Sequence, residues 1–588
     1  MRRPFALLVA LLLAVATDLL VGGCVSLPRA GPVRTEAVSN QGDSDALVDY
    51  TPPGPRRGAA PVPLVDNFLL SMTATPLNTY VAREYLTTTS SRSWAPEHGT
   101  LVYGNQQIVA RRGGVVVRLS NVVALDSRGE WRGDPTHGHG LSISLRLVKE
   151  DGQWRIDKPP NRLLIPRAQF DSQYEQYLLY FFDRTAQVLV PEPVYVPRGR
   201  QAPTLLVAGL LQGPEPYLRR TERTFLPAGT SLDGISVPVS RKGTAEVPLN
   251  HQVLDVDNKQ LGKVFAQVAW TLGQVPGVQR LRITVDGTPV DLPNAGEDVA
   301  VDSWSGFDPS VGWASTALFG VRDGHVVSID GHGEDRISGV LGTLDVGLRS
   351  IAVDLLGQHV AGVSTDGRRV WQTDRDGVPG RTATRADLQT VYSGTNVLQP
   401  AYDLYGQLWL VDRTADGARL SVVHAGVAKT VTAAGLSGTD LTRFALSRDG
   451  TRVLAEVRQN DQDRLLLARV QRDEEGRVLG LSAPRRLVVP GLSSHIRDVA
   501  WRTPASAVVL VDGQQGTSRV VSVKIDGPAD SSAASTAETL RARGTRLVGA
   551  PGAPLYVSTE SGRLYSLTRR GWVASSVDRG LRAATFVG

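Results

Sequence analysis

The stretch "SIAVDLLGQHVAGVSTDGRRVW", Ser350–Trp371, reads as an apolar strand, a turn near glycine and a second apolar strand. The pattern returns in "PAYDLYGQLWLVD" (Pro400–Asp412), "RFALSRDGTRVLAEV" (Arg443–Val457) and "RDVAWRTPASAVVLV" (Arg497–Val511). With Ala352, Ala401, Ala445 and Ala500 as matching points, the spacings are 49, 44 and 55 residues. Periods of this size point to propeller blades of about four short strands each. Trp313–Asp330 and Leu547–Trp572 add two flanking units, so an all-β propeller of about six blades is expected over 301–588, with five and seven as neighbouring counts. The competing reading is an irregular β-sandwich array. A propeller closes on itself and protects its sheet edges.

Working back from the repeats, helical signals increase. Asn258 reads as the N-cap and Gly273 as the stop of a helix with Leu261, Val264, Phe265, Val268 and Leu272 on one face. A strand at Gln279–Val285 and an Asp286-Gly287 turn follow it, and Ala202–Leu211 reads as a shorter helix. These elements predict a small α+β domain over 171–300. A second α+β domain is predicted over 61–170. Val62, Val65, Phe68, Leu69 and Met72 recur at helical spacing, and another helix is expected over Leu77–Leu86. Strands are expected at Leu101–Ala110, Val115–Leu125, Leu141–Val148 and Trp154–Asp157, the last two joined across Asp151-Gly152.

The segment Val25–Ala60 is rich in Pro, Gly and Ser without apolar periodicity and reads as a flexible tether within 24–60. Before it, Arg2 and Arg3 precede an apolar run, and Gly22 and Gly23 sit directly before Cys24, the single cysteine of the 588-residue chain. This is the layout of a signal peptide over 1–23. An uncleaved membrane helix is the alternative, and Asp18 argues against it because a carboxylate at that depth is costly. Val-Gly-Gly-Cys is similar to the bacterial lipobox, which marks Cys24 for S-diacylglycerol and N-acyl attachment. Two or more acyl chains anchor stably where one does not. Arg2-Arg3 only weakly matches a twin-arginine signal, so general secretion is expected.

Apolar residues at 41% and charged residues at 21% are ordinary for globular folds. After Cys24 no apolar stretch reaches the roughly 18 residues of a spanning helix. The formal net charge is +6, with seven lysines among the 64 basic residues. No basic run is long enough to act as a patch; attraction to an anionic wall polymer is the functional reading of the charge and a solvated surface the plain one. Nucleic acid is not expected as a partner of an exported chain.

The search for chemistry yields little. His137 and His139 in "THGHG" have the spacing of a metal pair without a third ligand, and His332 in "GHG" invites the same reading as an exposed turn. Asp374, Asp376 and Gly377 lack the rest of a calcium loop and read as a hairpin turn. Asp255 and Asp257 are suited to the positive N-terminal end of the helix that follows them. Asp473, Glu474 and Glu475 read as a solvated turn. There is no Gly-x-Ser-x-Gly elbow, phosphate-binding glycine loop or His-Glu-x-x-His motif. No catalytic residue, metal site or cofactor is therefore assigned. A glycosidase-like pair of distant carboxylates would leave no local motif.

Taken together, the whole chain resembles the LpqB family of actinobacterial lipoproteins. The resemblance rests on the lipobox cysteine, "DNFLLSMTATPLNTYVAREYLT" (Asp66–Thr87), "LRLVKEDGQWRIDKPPNRLLIP" (Leu145–Pro166) and "LLYFFDRTAQVLVPEPVYVP" (Leu178–Pro197). The middle domain resembles a GerMN domain through "LLVAGLLQGP" (Leu205–Pro214) and "FAQVAWTLGQVPGVQRLRITVDG" (Phe265–Gly287). The resemblance implies a palmitate-bearing lipoprotein on the extracytoplasmic face of the cell membrane. It further implies a non-enzymatic accessory that associates with the extracellular domain of the sensor histidine kinase MtrB and modulates the MtrA–MtrB two-component system in cell-wall homeostasis and division. Cys24 is the one functional residue it carries over. Two other classes remain: a wall-glycan-binding or glycan-processing protein using the propeller pocket, and a structural scaffold.

Overall fold

A computed structural model describes residues 49–293, 296–492, 495–525, 538–577 and 580–588. The expected signal peptide, Cys24 and the tether as far as residue 48 lie outside the described residues.

The first domain is built on helix α1 (Pro61–Ser71), whose Leu64, Val65, Phe68 and Leu69 are buried. Phe68 packs against Tyr85 and Trp94, with ring centroids 6.3 and 5.8 Å apart. The helix expected over Leu77–Leu86 shortens to α2 (Tyr80–Glu84), and α3 (Thr88–Ser93) follows. The expected strand Leu101–Ala110 is two: β1 (Thr100–Tyr103) and β2 (Asn105–Arg111) lie in different sheets. Likewise Val115–Leu125 divides into β3 (Gly114–Ser120) and β4 (Val123–Leu125). The cause is a paired crossing: Gly104 N–H donates to Ser120 C=O, and a Cβ on Gly104 would sit 3.1 Å from the Asn121 side chain. Strand β5 (Trp131–Gly133) continues the sheet of β1 and β4. Strands β6 (Leu141–Glu150) and β7 (Gln153–Asp157) form the expected hairpin, with Asp151 and Gly152 both at positive φ, and β8 (Leu163–Pro166) pairs parallel with β1.

The tether expected as far as Ala60 ends earlier. Tyr50 exchanges backbone hydrogen bonds with Thr75, and Tyr85 Oη donates to Pro53 C=O at 2.8 Å. Its prolines lay an extended chain against the fold and leave carbonyls free to accept.

In the second domain, β9 (Tyr174–Asp183) pairs antiparallel with β10 (Leu189–Pro197). Tyr174 and Tyr195 sit in the first domain's core, whereas Leu179 to Phe182 and Val194 sit in the second, so this hairpin belongs to both. Helix α4 (Ala202–Leu211) and helix α5 (Asn258–Leu272) cover it. All five face residues expected for α5 are buried. Its N-cap is Asp257 rather than Asn258: the Asp257 carboxylate accepts from Gln260 N–H at 2.8 Å, a role Asn258 cannot fill from inside the first turn.

The propeller region holds six antiparallel sheets in chain order among the described residues. Their innermost strands are Arg582–Thr585, Leu348–Val353, Ala401–Tyr402, Asp440–Leu446, Ile496–Thr503 and Gly544–Val548. The four alanines used as matching points all fall on these strands. The first sheet is completed by the chain's last strand, with Phe319 opposite Thr585 and Val321 opposite Arg582. That pairing removes the two free edges an open array would leave. Leu318, Val327, Val548, Leu564 and Phe586 form one apolar cluster across the first and last sheets.

Candidate functional site

The polar chemistry of the protein gathers at three places: a joint between the first two domains, a joint between the second domain and the propeller, and the propeller's central channel.

At the first joint the turn after β4 brings Asp126, Arg128 and Glu130 against Glu215 and Tyr217 of the second domain. Arg128 reaches Glu130 at 3.0 Å and Glu215 at 2.8 Å, and Arg132 reaches Asp126 at 2.8 Å. Tyr217 Oη donates to Glu130 at 2.5 Å. Burial pushes the Glu130 carboxyl up to about 7, an effect the Tyr217 hydrogen bond only partly offsets. Asp126, Glu130 and Glu215 stand close enough to hold a metal ion. The two guanidinium groups already fill that space, so the donor set fits a cation pair rather than a metal.

The second joint is carried by Glu192, which sits between two prolines in β10. Its carboxylate takes Arg469 through both oxygens, at 2.5 and 2.6 Å, and Arg452 at 2.7 Å. Arg469 also reaches Glu222 at 2.7 Å. Arg452 is fully buried and donates to Pro191 C=O as well. Burial alone would raise the Glu192 carboxyl, but Arg469 and Arg452 hold it below the usual range. Burial and the neighbouring Glu192 charge push Glu222 the other way. Around this core, Tyr405 Oη donates to Asp183 at 2.8 Å, and Glu474 takes Arg184 at 3.0 Å and Arg223 at 3.3 Å. Glu474 is thus a solvent-exposed carboxylate that also ties the domains, whereas Asp473 and Glu475 pair within their own turn, with Arg477.

The channel is lined by the innermost strands of five sheets and encloses a cavity of about 210 Å³. Phe444 and Trp501 contribute aromatic wall, Arg443, Arg448 and Arg546 positive charge, and Asp498 is the one acidic side chain among the described lining residues. Burial raises the Asp498 carboxyl, with Arg546 and Arg443 acting against it. A side pocket of about 270 Å³ opens beside it, lined by Arg413, Arg443, Arg458 and Arg497.

The residues singled out in the sequence lie elsewhere. Cys24 is outside the described residues. His137 is at positive φ in an exposed turn organised by Asp134, and His332 lies in an exposed turn whose N–H donates to Asp330. Asp374 pairs with His359 at 2.8 Å while Asp376 accepts from Ser338, so the two carboxylates do not converge. Their hairpin is not a tight turn, because the loop from 375 to 388 includes the short turn Arg385–Asp387. Glu192 was the one legible omission: a carboxylate inside an otherwise apolar strand needs a buried partner.

Comparison with known proteins agrees with this domain order. The N-terminal domain of lipoprotein LpqB matches residues 54–171, and the LpqB beta-propeller domain matches 324–583. Between them, 178–291 matches a domain described under sporulation and spore germination. Lipoprotein LpqB of Thermobifida fusca is 28% identical, covering 94% of this chain and 94% of its own, and that of Cutibacterium acnes is 26% identical over 93% and 94%. The first GerMN domain of the Bacillus subtilis sporulation protein GerM is similar over 21% of this chain and 97% of its own, at 18% identity and a TM-score of 0.18. With both LpqB domains present in order and relatives matched along nearly the full chain, this protein belongs to the LpqB lipoprotein family.

Proposed function

We propose that the protein is a non-enzymatic accessory lipoprotein, anchored through Cys24 on the extracytoplasmic face of the cell membrane, that binds the extracellular domain of the sensor kinase MtrB. Through that contact it modulates the MtrA–MtrB two-component system in cell-wall homeostasis and division. Membership of the LpqB family carries the reading. The lipobox sequence before Cys24 supports the anchor, and among the described residues no helix is long and apolar enough to cross a membrane. Anchoring both partners in one membrane raises their effective concentration, so a weak contact can be occupied. The chemistry of the second joint supports a binding role: Glu192 is held by two guanidinium groups across a domain junction, which suits holding domains in place.

The test is binding of the purified chain to the MtrB extracellular domain, with a Cys24→Ala form compared in cells. Saturable binding in solution with loss of regulatory effect in the unanchored form is expected. No binding at high concentration, or full regulatory effect without Cys24, overturns the reading.

A second reading, wall-glycan binding in the propeller channel, is favoured by the cavity itself. Glycan hydrolysis is disfavoured there, because two facing carboxylates are needed and the described lining offers Asp498 alone. Hydrolysis of purified peptidoglycan that is lost in Asp498→Asn would reverse that preference.

A further inference from the structure

The arginines at one end of the propeller are tied to carboxylates of the second domain, whereas at the other end some are paired, as Arg458 is with Asp463 and Arg413 with Asp440, and others are not. In the fourth sheet, Asp440–Leu446, Arg452–Gln459 and Gln462–Arg472 run antiparallel, so Arg452 and Arg472 lie at one end and Asp440, Arg458 and Asp463 at the other. The end with Arg452 is the one held by the second domain. The other end, where the innermost strands begin, is where Arg349, Arg443 and Arg546 arise.

Four of the innermost strands shift register at their beginnings: between Leu348 and Ser350, Leu441 and Arg443, Ile496 and Asp498, and Gly544 and Arg546. A bulge re-aims the side chains beside it. Here it falls at or next to an arginine each time. Arg443 and Arg546 line the same cavity, and Arg443 also lines the side pocket with Arg413. Arg349 joins them through the segment before Ala401: its Nη2 donates to Asn396 at 2.9 Å and to Val397 C=O, while Arg546 donates to Gln399 three residues further on.

These three cations face few anions: Asp498 stands within ion-pair distance of Arg443 alone. Among the described residues neither Arg349 nor Arg546 has a carboxylate within ion-pair distance, and their bonds go to neutral amide oxygens. Arg443 donates to two backbone carbonyls and stands 3.8 Å from Asp498, beyond hydrogen-bond length. Burial lowers the Arg349 pKa, and the nearby charges of Arg546 and Arg413 lower it further against the opposing pull of Asp366. Arginine clusters around a cavity with donors left over favour a multiply charged, multi-oxygen anion, since a single carboxylate satisfies one fork only.

We propose that the open mouth of the propeller channel is a binding site for a phosphate-bearing ligand, with Arg349, Arg443 and Arg546 from three different sheets taking the phosphoryl oxygens. Phe444 and Trp501 further in offer apolar contact to whatever carries the phosphate. Such binding requires neither a kinase partner nor catalysis.

Isothermal titration of the full chain tests it with three probes: inorganic pyrophosphate, glucose 1-phosphate and, as a charge control, acetate. Saturable binding of a phosphate probe with no acetate binding is expected. Preference for pyrophosphate identifies a free-phosphate site, and preference for glucose 1-phosphate a glycosyl phosphate site. Arg546→Gln and Arg349→Gln should each weaken binding by about tenfold or more, as expected for a lost charge-assisted bond. Arg546→Lys, which keeps charge but loses the fork, should retain an intermediate affinity and guards against a folding defect. Arg118→Gln, an exposed first-domain change of equal charge, should leave binding unchanged. No saturable binding of either phosphate probe, or equal weakening by Arg118→Gln, overturns the proposal.

Discussion

Arginine does two different jobs at the two ends of the propeller. At the joint with the second domain, Arg452 and Arg469 are sealed from water and matched to Glu192 and Glu222. At the open mouth, Arg349 and Arg546 are partly exposed and matched to neutral oxygens. The first arrangement resists change because either charge alone would be stranded in the interior. The second leaves binding capacity unused by the protein. The same side chain thus makes a lock or a receptor according to whether the fold supplies the counter-charge.

The sharpest break of this comparison is Arg469→Met. Removing one partner of a buried pair typically costs about 3–5 kcal/mol, and here it leaves Glu222 without its arginine and Glu192 with Arg452 alone. Denaturant unfolding followed by tryptophan fluorescence should show the midpoint falling accordingly; an unchanged midpoint would mean that the joint contributes little.

The second prediction concerns pH. Burial holds the carboxyls of Glu130 at about 7 and Glu456 at about 8. For such raised groups the protonated form is favoured by folding. Their stabilisation is complete below the ordinary carboxyl range and is lost as pH rises through about 7 and 8. Glu192, held low by its arginines, loses its contribution only as acid protonates it, so it does not act in this window. The melting temperature should therefore fall from pH 5 to pH 9, with Glu130 responsible for up to about 3 kcal/mol. Glu130→Gln should flatten that slope, and an identical slope in the variant would show that another group controls it.

A smaller loss is expected from Gly129→Ala, on the order of 2 kcal/mol. Gly129 is at φ +87° and a Cβ would lie 2.2 Å from Tyr195 C=O, where β10 is held to the first domain. Calorimetry should show the first two domains melting earlier; a neutral result would mean that the turn can shift without cost. The smallest effect is predicted for Arg349→Gln, within about 1 kcal/mol, because lost hydrogen bonds are offset by relief from neighbouring charge.

How much of this could be read from the sequence follows from distance along the chain. The α5 face was legible because its five apolar residues repeat within one helix, and the alanine spacing was legible because each sheet repeats the strand–turn–strand pattern. The divided strands were not, since Gly104 and Asn121 break them only when the two crossings meet. Asp257 displaced Asn258 as the cap on a difference of one residue, below what periodicity resolves. Glu192 offered a local hint as a carboxylate among apolar residues and prolines, but its partners lie 260 and 277 residues away. The mouth offered none: Arg443 and Arg546 line one cavity, and Arg349 is tied beside them through Asn396, only when the sheets close into a ring.

The measurement that tests the contrast most directly is the unfolding midpoint of Arg469→Met and Arg349→Gln, each with and without saturating pyrophosphate. The matched and unmatched assignment predicts that Arg469→Met is strongly destabilised yet still shifted upward by pyrophosphate. Arg349→Gln should keep nearly the parent midpoint and lose that shift. Equal destabilisation of the two variants, or a ligand shift preserved in Arg349→Gln and absent in Arg469→Met, would contradict it.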